Sequence, residues 1–272
     1  MISIKRELSR LGIPPLKRFG QHFLIDKRVR DAMVAAAQLS REDRLLEVGP
    51  GLGFLTEEIV KHAGNVVAVE KDRTLARHLM DHFSKVRNLS IVQGDALIVG
   101  KLGCTKLVSS PPYNISSKLV LFITRNQFDL AVLLFQDEFV KRLTAKSGSR
   151  EYGRLTVALQ VSAQTEIIMK VSRSAFYPSP KVDSALIVIK PRTDLLQIRD
   201  LSLFEDLVRS LFTQRRRRLK TVLRKYIERR YPPRIGSSLS QLDMPEKRVF
   251  QMSPTELVEL ANKITYALQE VK

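Results

Sequence analysis

The amino-acid sequence predicts an α/β protein: a mostly parallel sheet covered by helices on both faces, followed by a small all-α domain. Three observations predict it. From residue 26 to about 190, short β-rich apolar runs alternate with segments of helical period, the pattern of strands joined by crossover helices. The apolar runs stop abruptly at glycine, Glu, Gly-Asp or Ser-Pro, which sets chemistry-bearing residues along one edge of the sheet. Beyond Pro191 and Arg192 the β-rich runs cease and helical periods remain. The implied domains are residues 1–192 and 193–272.

Asp26 is placed to cap a helix over residues 26–39. Residues 44–48 (Arg-Leu-Leu-Glu-Val) form a buried strand ending in glycines, 54–62 a helix, 65–70 a strand and 73–83 a helix. Strands over 89–93 and 106–109 lead to a helix over 117–124. A strand over 129–135 and helices over 137–144 and 151–164 follow. Strands at 167–171 and 184–189 are positioned to pair antiparallel at one sheet edge. Residues 203–231, 239–242 and 254–270 read as helices of the C-terminal domain.

With 272 residues and 44% hydrophobic content, the chain can bury a real core. It has no apolar run of bilayer length and no signal-peptide pattern at its start, so a cytoplasmic protein without a membrane partner is expected. One cysteine, Cys104, excludes an internal disulfide and a cysteine zinc site. His78 and His82 can share a helix face, but no carboxylate pattern accompanies them and no metal is expected. The formal net charge of +18 favours a polyanionic partner. Much of the excess lies in Arg215, Arg216, Arg217, Arg218 and Lys220, with Arg224, Lys225, Arg229 and Arg230 beyond. Leu211, Leu219, Val222 and Leu223 make this a basic amphipathic helix, suited to nucleic acid more than to a membrane surface.

Four strand ends carry the candidate chemistry. Glu47-Val48-Gly49-Pro50-Gly51-Leu52-Gly53 lies where the first of these strands turns into a helix. Glycines there let backbone approach a ligand, and the helix start offers free N–H groups; a tight turn alone would also use them. Their G-x-G-x-G spacing departs from the dinucleotide fingerprint and disfavours NAD. Glu70 ends the next strand, where a nucleotide-binding sheet places a ribose-binding carboxylate. Gly94-Asp95-Ala96 ends the third, and Asp95 can accept from an exocyclic amine. Leu107-Val108-Ser109 then runs into Ser110-Pro111-Pro112-Tyr113-Asn114. The two prolines remove two donors and fix two φ angles, so neither a helix nor a central strand continues. Free carbonyls on a stiff frame suit a ligand rich in donors, although a rigid turn explains the loop taken alone.

With Phe19-Gly20-Gln21-His22-Phe23-Leu24, Tyr152-Gly153-Arg154-Leu155, Phe176-Tyr177-Pro178-Ser179-Pro180-Lys181-Val182-Asp183-Ser184 and the 212–219 arginine segment, this set resembles the ribosomal RNA adenine-N6 dimethyltransferases of the small subunit. The likeness runs from about residue 17 to 225. It implies a Rossmann-like class I methyltransferase sheet of seven strands with a small C-terminal all-α domain that binds RNA and the ribosome. It implies S-adenosylmethionine as cofactor: Gln21, His22 and Leu24 close over its methionine end, Gly49 and Gly51 lie beneath, Glu70 holds the ribose, and Asp95 and Ala96 hold the adenine. Ser110 is shared between cofactor and target. Ser110, Pro111, Pro112 and Tyr113 form the target-base loop, with Phe176 as an aromatic partner. Most relatives carry Asn and an apolar residue where this sequence has Ser110 and Pro111.

The resemblance gives the proline loop a purpose. The N6 lone pair of adenine is delocalised into the ring. Acceptors at Ser110 and Pro111 can take both amino protons and favour a tetrahedral nitrogen, so the gain is orientation and electrostatics. The base must be unpaired or flipped, and a sandwich between Tyr113 and Phe176 is worth roughly 1–3 kcal/mol per stacked base. The implied target is two adjacent adenosines near the 3′ end of small-subunit rRNA in a pre-ribosomal particle, met by a monomer. Arg215–Arg218 and Lys220 would hold phosphates, or the arginines would partly pair with acidic residues. The alternatives are a large-subunit rRNA methyltransferase of the resistance type and a non-catalytic assembly or transcription factor.

Overall fold

A computed structural model describes residues 4–12, 22–126, 128–192, 194, 196–233, 239 and 244–270. In chain order the elements are α1 (Ile4–Arg10), β1 (Phe23–Leu24), α2 (Lys27–Ala37), β2 (Arg44–Val48), α3 (Thr56–His62), β3 (Asn65–Glu70), α4 (Arg73–His82) and β4 (Leu89–Gln93). Then come α5 (Ala96–Val99), β5 (Lys106–Ser109), α6 (Ser116–Asn126), β6 (Leu130–Gln136), α7 (Asp137–Leu143), α8 (Arg154–Ser162) and β7 (Ala163–Val171). The last are β8 (Phe176–Tyr177), β9 (Ser184–Pro191), α9 (Leu201–Thr213), α10 (Leu219–Arg230) and α11 (Pro254–Glu270). Aspartates start several helices: Asp26 accepts from the Arg28 N–H, Asp72 from Thr74 and Leu75, Asp95 from Leu97, and Asp200 from Leu203. Each such cap is worth about 1 kcal/mol.

The main sheet has seven strands in the order β4-β3-β2-β5-β6-β9-β7. The first five run parallel, and β9 pairs antiparallel with β6 from Ala131↔Ile189 to Gln136↔Ser184. Strands covered on both faces need continuous apolar runs, and β3 and β6 are buried along nearly their whole length. β7 closes one edge, where exposed Ile167 and Ile168 lie between Glu166 and Lys170; charges there discourage edge-to-edge pairing. A second, two-stranded sheet joins β1 to β8 antiparallel.

The chain divides into two compact units, Met1–Val140 with Gln164–Pro191, and Lys141–Ala163 with Arg192–Lys272. In the first, Val29, Met33 and Ala37 of α2 share a core with Leu45, Val66, Val108, Val132 and Leu186 of the sheet. In the second, Leu207 and Leu211 of α9, Val222 and Leu223 of α10, and Leu257 and Ile264 of α11 form a separate core. The sequence places residues 141–163 in the first domain. Here they belong to the second, because Tyr152, Val157 and Val161 are buried in the helical core.

One expected helix is two. Residues 203–231 are interrupted at 214–218, between α9 and α10. The carbonyls of Arg215 and Arg217 accept from the N–H groups of Phe250 and Val249, and Leu219 donates to Lys247. These long-range bonds give the arginine backbone other partners and override its helix propensity. The helix expected over 239–242 lies outside the described residues except for buried Leu239. Helices α1 and α5 and the β1–β8 sheet have no counterpart in the sequence expectations.

Candidate active site

Parallel pairing brings the ends of β2, β3, β4 and β5 to one rim, in the registers Val48↔Val69, Glu70↔Gln93 and Glu47↔Val108. Below this rim is a cavity of about 520 Å³, the size of a nucleoside-scale ligand site. The turn after β2 makes its floor. Gly51 has φ +61°, and a Cβ there would lie 3.0 Å from the Phe23 ring, so only glycine fits without strain.

Glu70 supports that turn. One carboxylate oxygen accepts from the Gly51 N–H at 3.1 Å and the other from the Asp72 N–H at 2.9 Å. Burial raises its pKa against these two bonds. Asp95 accepts from the Leu97 N–H and from Lys71 Nζ, both at 3.0 Å, and the lysine bond leads in holding its pKa down. Glu47 also lines the cavity and is 1% exposed. Its carboxyl oxygen accepts from the Thr56 hydroxyl at 2.7 Å, and burial pushes its pKa up to about 8.

The proline loop stands directly against the glycine turn. Ser109 Oγ donates to the Val48 carbonyl at 2.5 Å, and Pro112 Cδ is 3.4 Å from where a Cβ on Gly49 would sit. Tyr113 Oη and Ser184 Oγ share a hydrogen bond at 2.8 Å. The His22 ring lies 5.4 Å from the Tyr113 ring, tilted by 34°. Pairing of Phe23 with Tyr177 brings His22 beside Pro178, whose carbonyl accepts from His22 Nδ1 at 2.6 Å. A carbonyl has no proton to give, so Nδ1 carries the hydrogen.

Of the residues proposed from sequence, His22, Leu24, Gly49, Gly51, Glu70, Asp95, Ala96, Ser110 and Pro112 line this one cavity. Gln21 lies outside the described residues. Pro111 is buried and Tyr113 partly buried beside the cavity lining. Phe176 departs from expectation: it is 3% exposed and sits in the core with Leu24, Val171 and Leu186. Phe176 pairs with Leu24 across the small sheet and both side chains are buried in that core, while side-chain alternation turns the next residue, Tyr177, the other way. In the second unit Arg215 is partly committed, donating to the carbonyls of Tyr152 at 2.5 Å and Arg150 at 2.9 Å. Arg218 meets Glu246 at 3.5 Å; Arg216, Arg217 and Lys220 are exposed.

Sequence reasoning missed Glu47, Phe23 and Ile4 as cavity residues and Ser184 as the partner of Tyr113. A carboxylate inside an apolar strand was a usable signal for Glu47. Ile4 and Ser184 are brought in by long-range packing.

A profile of the family described as "Ribosomal RNA adenine dimethylase" matches residues 16–243. The chain belongs to this family. It is an rRNA adenine dimethyltransferase on the class I methyltransferase fold. It is 41% identical over 256 residues to the Pyrococcus abyssi protein named "Probable ribosomal RNA small subunit methyltransferase A", covering 93% of each chain. Among solved structures it is similar to a dimethyladenosine transferase from Plasmodium falciparum, with TM-score 0.80, 26% identity, and 90% and 98% of the two chains covered. It is also similar to the 23S rRNA methyltransferase ErmE, with TM-score 0.67, 28% identity, and coverage of 89% and 99%.

Proposed function

We propose that this family member uses S-adenosylmethionine to dimethylate N6 of two adjacent adenosines near the 3′ end of small-subunit rRNA, as a cytoplasmic monomer acting on a pre-ribosomal particle. One observation carries the reading: the Ser110–Tyr113 loop stands against the glycine turn, with Pro112 3.4 Å from a Cβ position on Gly49. The relative from Pyrococcus abyssi is named for the small subunit at 41% identity, which favours that target over the large subunit.

The residues present suit the cofactor. Gly51 and Phe23 both line the cavity, and a Cβ on Gly51 would press within 3.0 Å of that ring. Glu70 directs both carboxylate oxygens to backbone donors and retains lone pairs for a ribose diol. Asp95 and Ala96 would take the adenine, and His22 and Leu24 the methionine end. Bound there, S-adenosylmethionine supplies an electrophilic methyl group. The chain's own work is on the other reactant. Ser110 and the Pro111 carbonyl accept the amino protons of adenine, drawing the N6 lone pair out of conjugation and orienting it. Tyr113 offers a stacking face, worth roughly 1–3 kcal/mol for a base. Phe176 lies in the core, so Tyr113 is the ring of the two that makes that contact. Exposed Arg216, Arg217, Arg218 and Lys220 would hold phosphates, which position RNA without specifying sequence; Arg215 would do so less.

Incubating the protein with methyl-labelled S-adenosylmethionine and undermethylated small subunits, then mapping the modified nucleotides, tests the proposal. Label on N6 of two adjacent adenosines is expected. Label on cytosine or protein, or a preference for naked large-subunit RNA, overturns it.

A further inference from the structure

The geometry points to Ser184 as a positioning residue that fixes the ring of Tyr113 for the base, so that the tyrosine hydroxyl serves orientation and not proton transfer. Ser184 is fully buried, at the first residue of β9, opposite Gln136 at the end of β6. A buried hydroxyl is costly unless paired, and this one meets Tyr113 Oη at 2.8 Å. The backbone of Tyr113 is held as well: its carbonyl accepts from Ser116 Oγ at 2.9 Å. The His22 ring flanks the tyrosine ring at 5.4 Å and is itself tied to the Pro178 carbonyl at 2.6 Å.

The ring is therefore fixed at its hydroxyl end, at its main chain and beside one edge or face. Rotation about the Cα–Cβ bond of Tyr113 must break the bond to Ser184; rotation about Cβ–Cγ leaves Oη on its axis, and there the neighbouring His22 ring sets the plane. A stacking platform needs this constraint, because misplacing a reacting group by about 1 Å costs on the order of 100-fold in rate. The hydroxyl is engaged with fully buried Ser184 at 2.8 Å, a bond that serves to orient the ring. Ser184 lies 71 residues from Tyr113 in the chain and touches neither reactant in this scheme. It acts through the ring.

The inference rests on the stacking role proposed for Tyr113, and the test separates the two. Ser184→Ala, Tyr113→Phe, the double variant and Tyr113→Ala are assayed on undermethylated small subunits, with S-adenosylmethionine affinity measured by calorimetry. Ser184→Ala and Tyr113→Phe should each lower kcat about five-fold, the effect of one ordinary hydrogen bond, with KM for S-adenosylmethionine unchanged. The double variant should be no worse than either single one. Tyr113→Phe reads the same bond without disturbing the buried strand, so a poorly folded Ser184→Ala does not decide the result. Wild-type kcat in Tyr113→Phe, multiplied losses in the double variant, or a loss confined to cofactor KM overturns the role of Ser184. Wild-type kcat in Tyr113→Ala instead overturns the stacking reading itself; a large loss there beside an unaffected Tyr113→Phe overturns only the present inference.

Discussion

Replacing Glu47 with glutamine should stabilise the protein at neutral pH by an amount that burial sets. Glu47 is 1% exposed; burial, reinforced by neighbouring Glu70 and opposed by the Thr56 bond, raises its pKa from 4.5 to about 8. Between these values the folded state keeps a proton that the unfolded state has released. The contribution of Glu47 to stability therefore falls as pH rises from about 4.5 to about 8 and is constant on either side. At pH 7 the penalty is on the order of 3 kcal/mol, from about 1.4 kcal/mol per pH unit over about 2.5 pH units. Glutamine has nearly the same shape, cannot ionise and keeps an acceptor for the Thr56 hydroxyl. Melting temperatures of both proteins, measured from pH 5 to pH 8 in one buffer series, make the test. The curves should nearly meet at pH 5 and diverge by several degrees at pH 7–8, since about 1 kcal/mol moves Tm by about 2–4 °C in a chain of this size. Parallel curves across the range, or a less stable variant at pH 8, would refute the claim that the folded protein keeps this carboxyl protonated.

Other substitutions probe the rim and the helical unit. Gly51→Ala places a Cβ 3.0 Å from the Phe23 ring at φ +61°; the strain is about 1–2 kcal/mol, and calorimetry should show S-adenosylmethionine binding at least about ten-fold weaker. Unchanged affinity would mean that the turn does not floor the cofactor site. Ser109→Ala removes the 2.5 Å bond to the Val48 carbonyl and should cost about 1 kcal/mol of stability while lowering kcat; a variant unchanged in both denies the anchor. Arg215→Ala should lower Tm, having lost its bonds to the Tyr152 and Arg150 carbonyls, whereas Arg216→Ala should leave Tm alone and reduce the salt dependence of RNA binding by about one phosphate contact. The reverse pattern would exchange their roles.

Short-range physics made most of the fold legible. The β-rich runs at 44–48, 65–70 and 106–109 carry their identity within themselves, and Asp26 marks the helix after it. The arginine segment shows the limit. Gln, Arg, Leu and Lys all favour helix, yet Arg215 and Arg217 offer their carbonyls to Phe250 and Val249, more than 30 residues away in the chain. No local pattern encodes that pairing. The domain boundary failed for the same reason: the helix over Arg154–Ser162 reads as one more crossover, and only Tyr152, Val157 and Val161 in the helical core reassign it. The role of Phe176 beside the base comes from the family resemblance, and a two-residue strand has no periodicity against which to set it; its burial with Leu24 shows only in the fold.

The candidate site divides along the same line. Pro111 and Pro112 fix the shape of the acceptor loop from within, because each locks its own φ angle, and that stiffness is visible in sequence. Stiffness does not place a loop. Placement comes from serine hydroxyls: Ser109 ties the strand end to Val48, Ser116 holds the Tyr113 carbonyl, and Ser184 holds the Tyr113 hydroxyl. Ser116 acts across three residues and is local, but Ser109 and Ser184 act across 61 and 71. Each is worth only about 1 kcal/mol in stability, so none dominates the fold energy. Their leverage is geometric: a proline-stiffened segment moves as one body, and a hydroxyl at either end sets the angle of everything between.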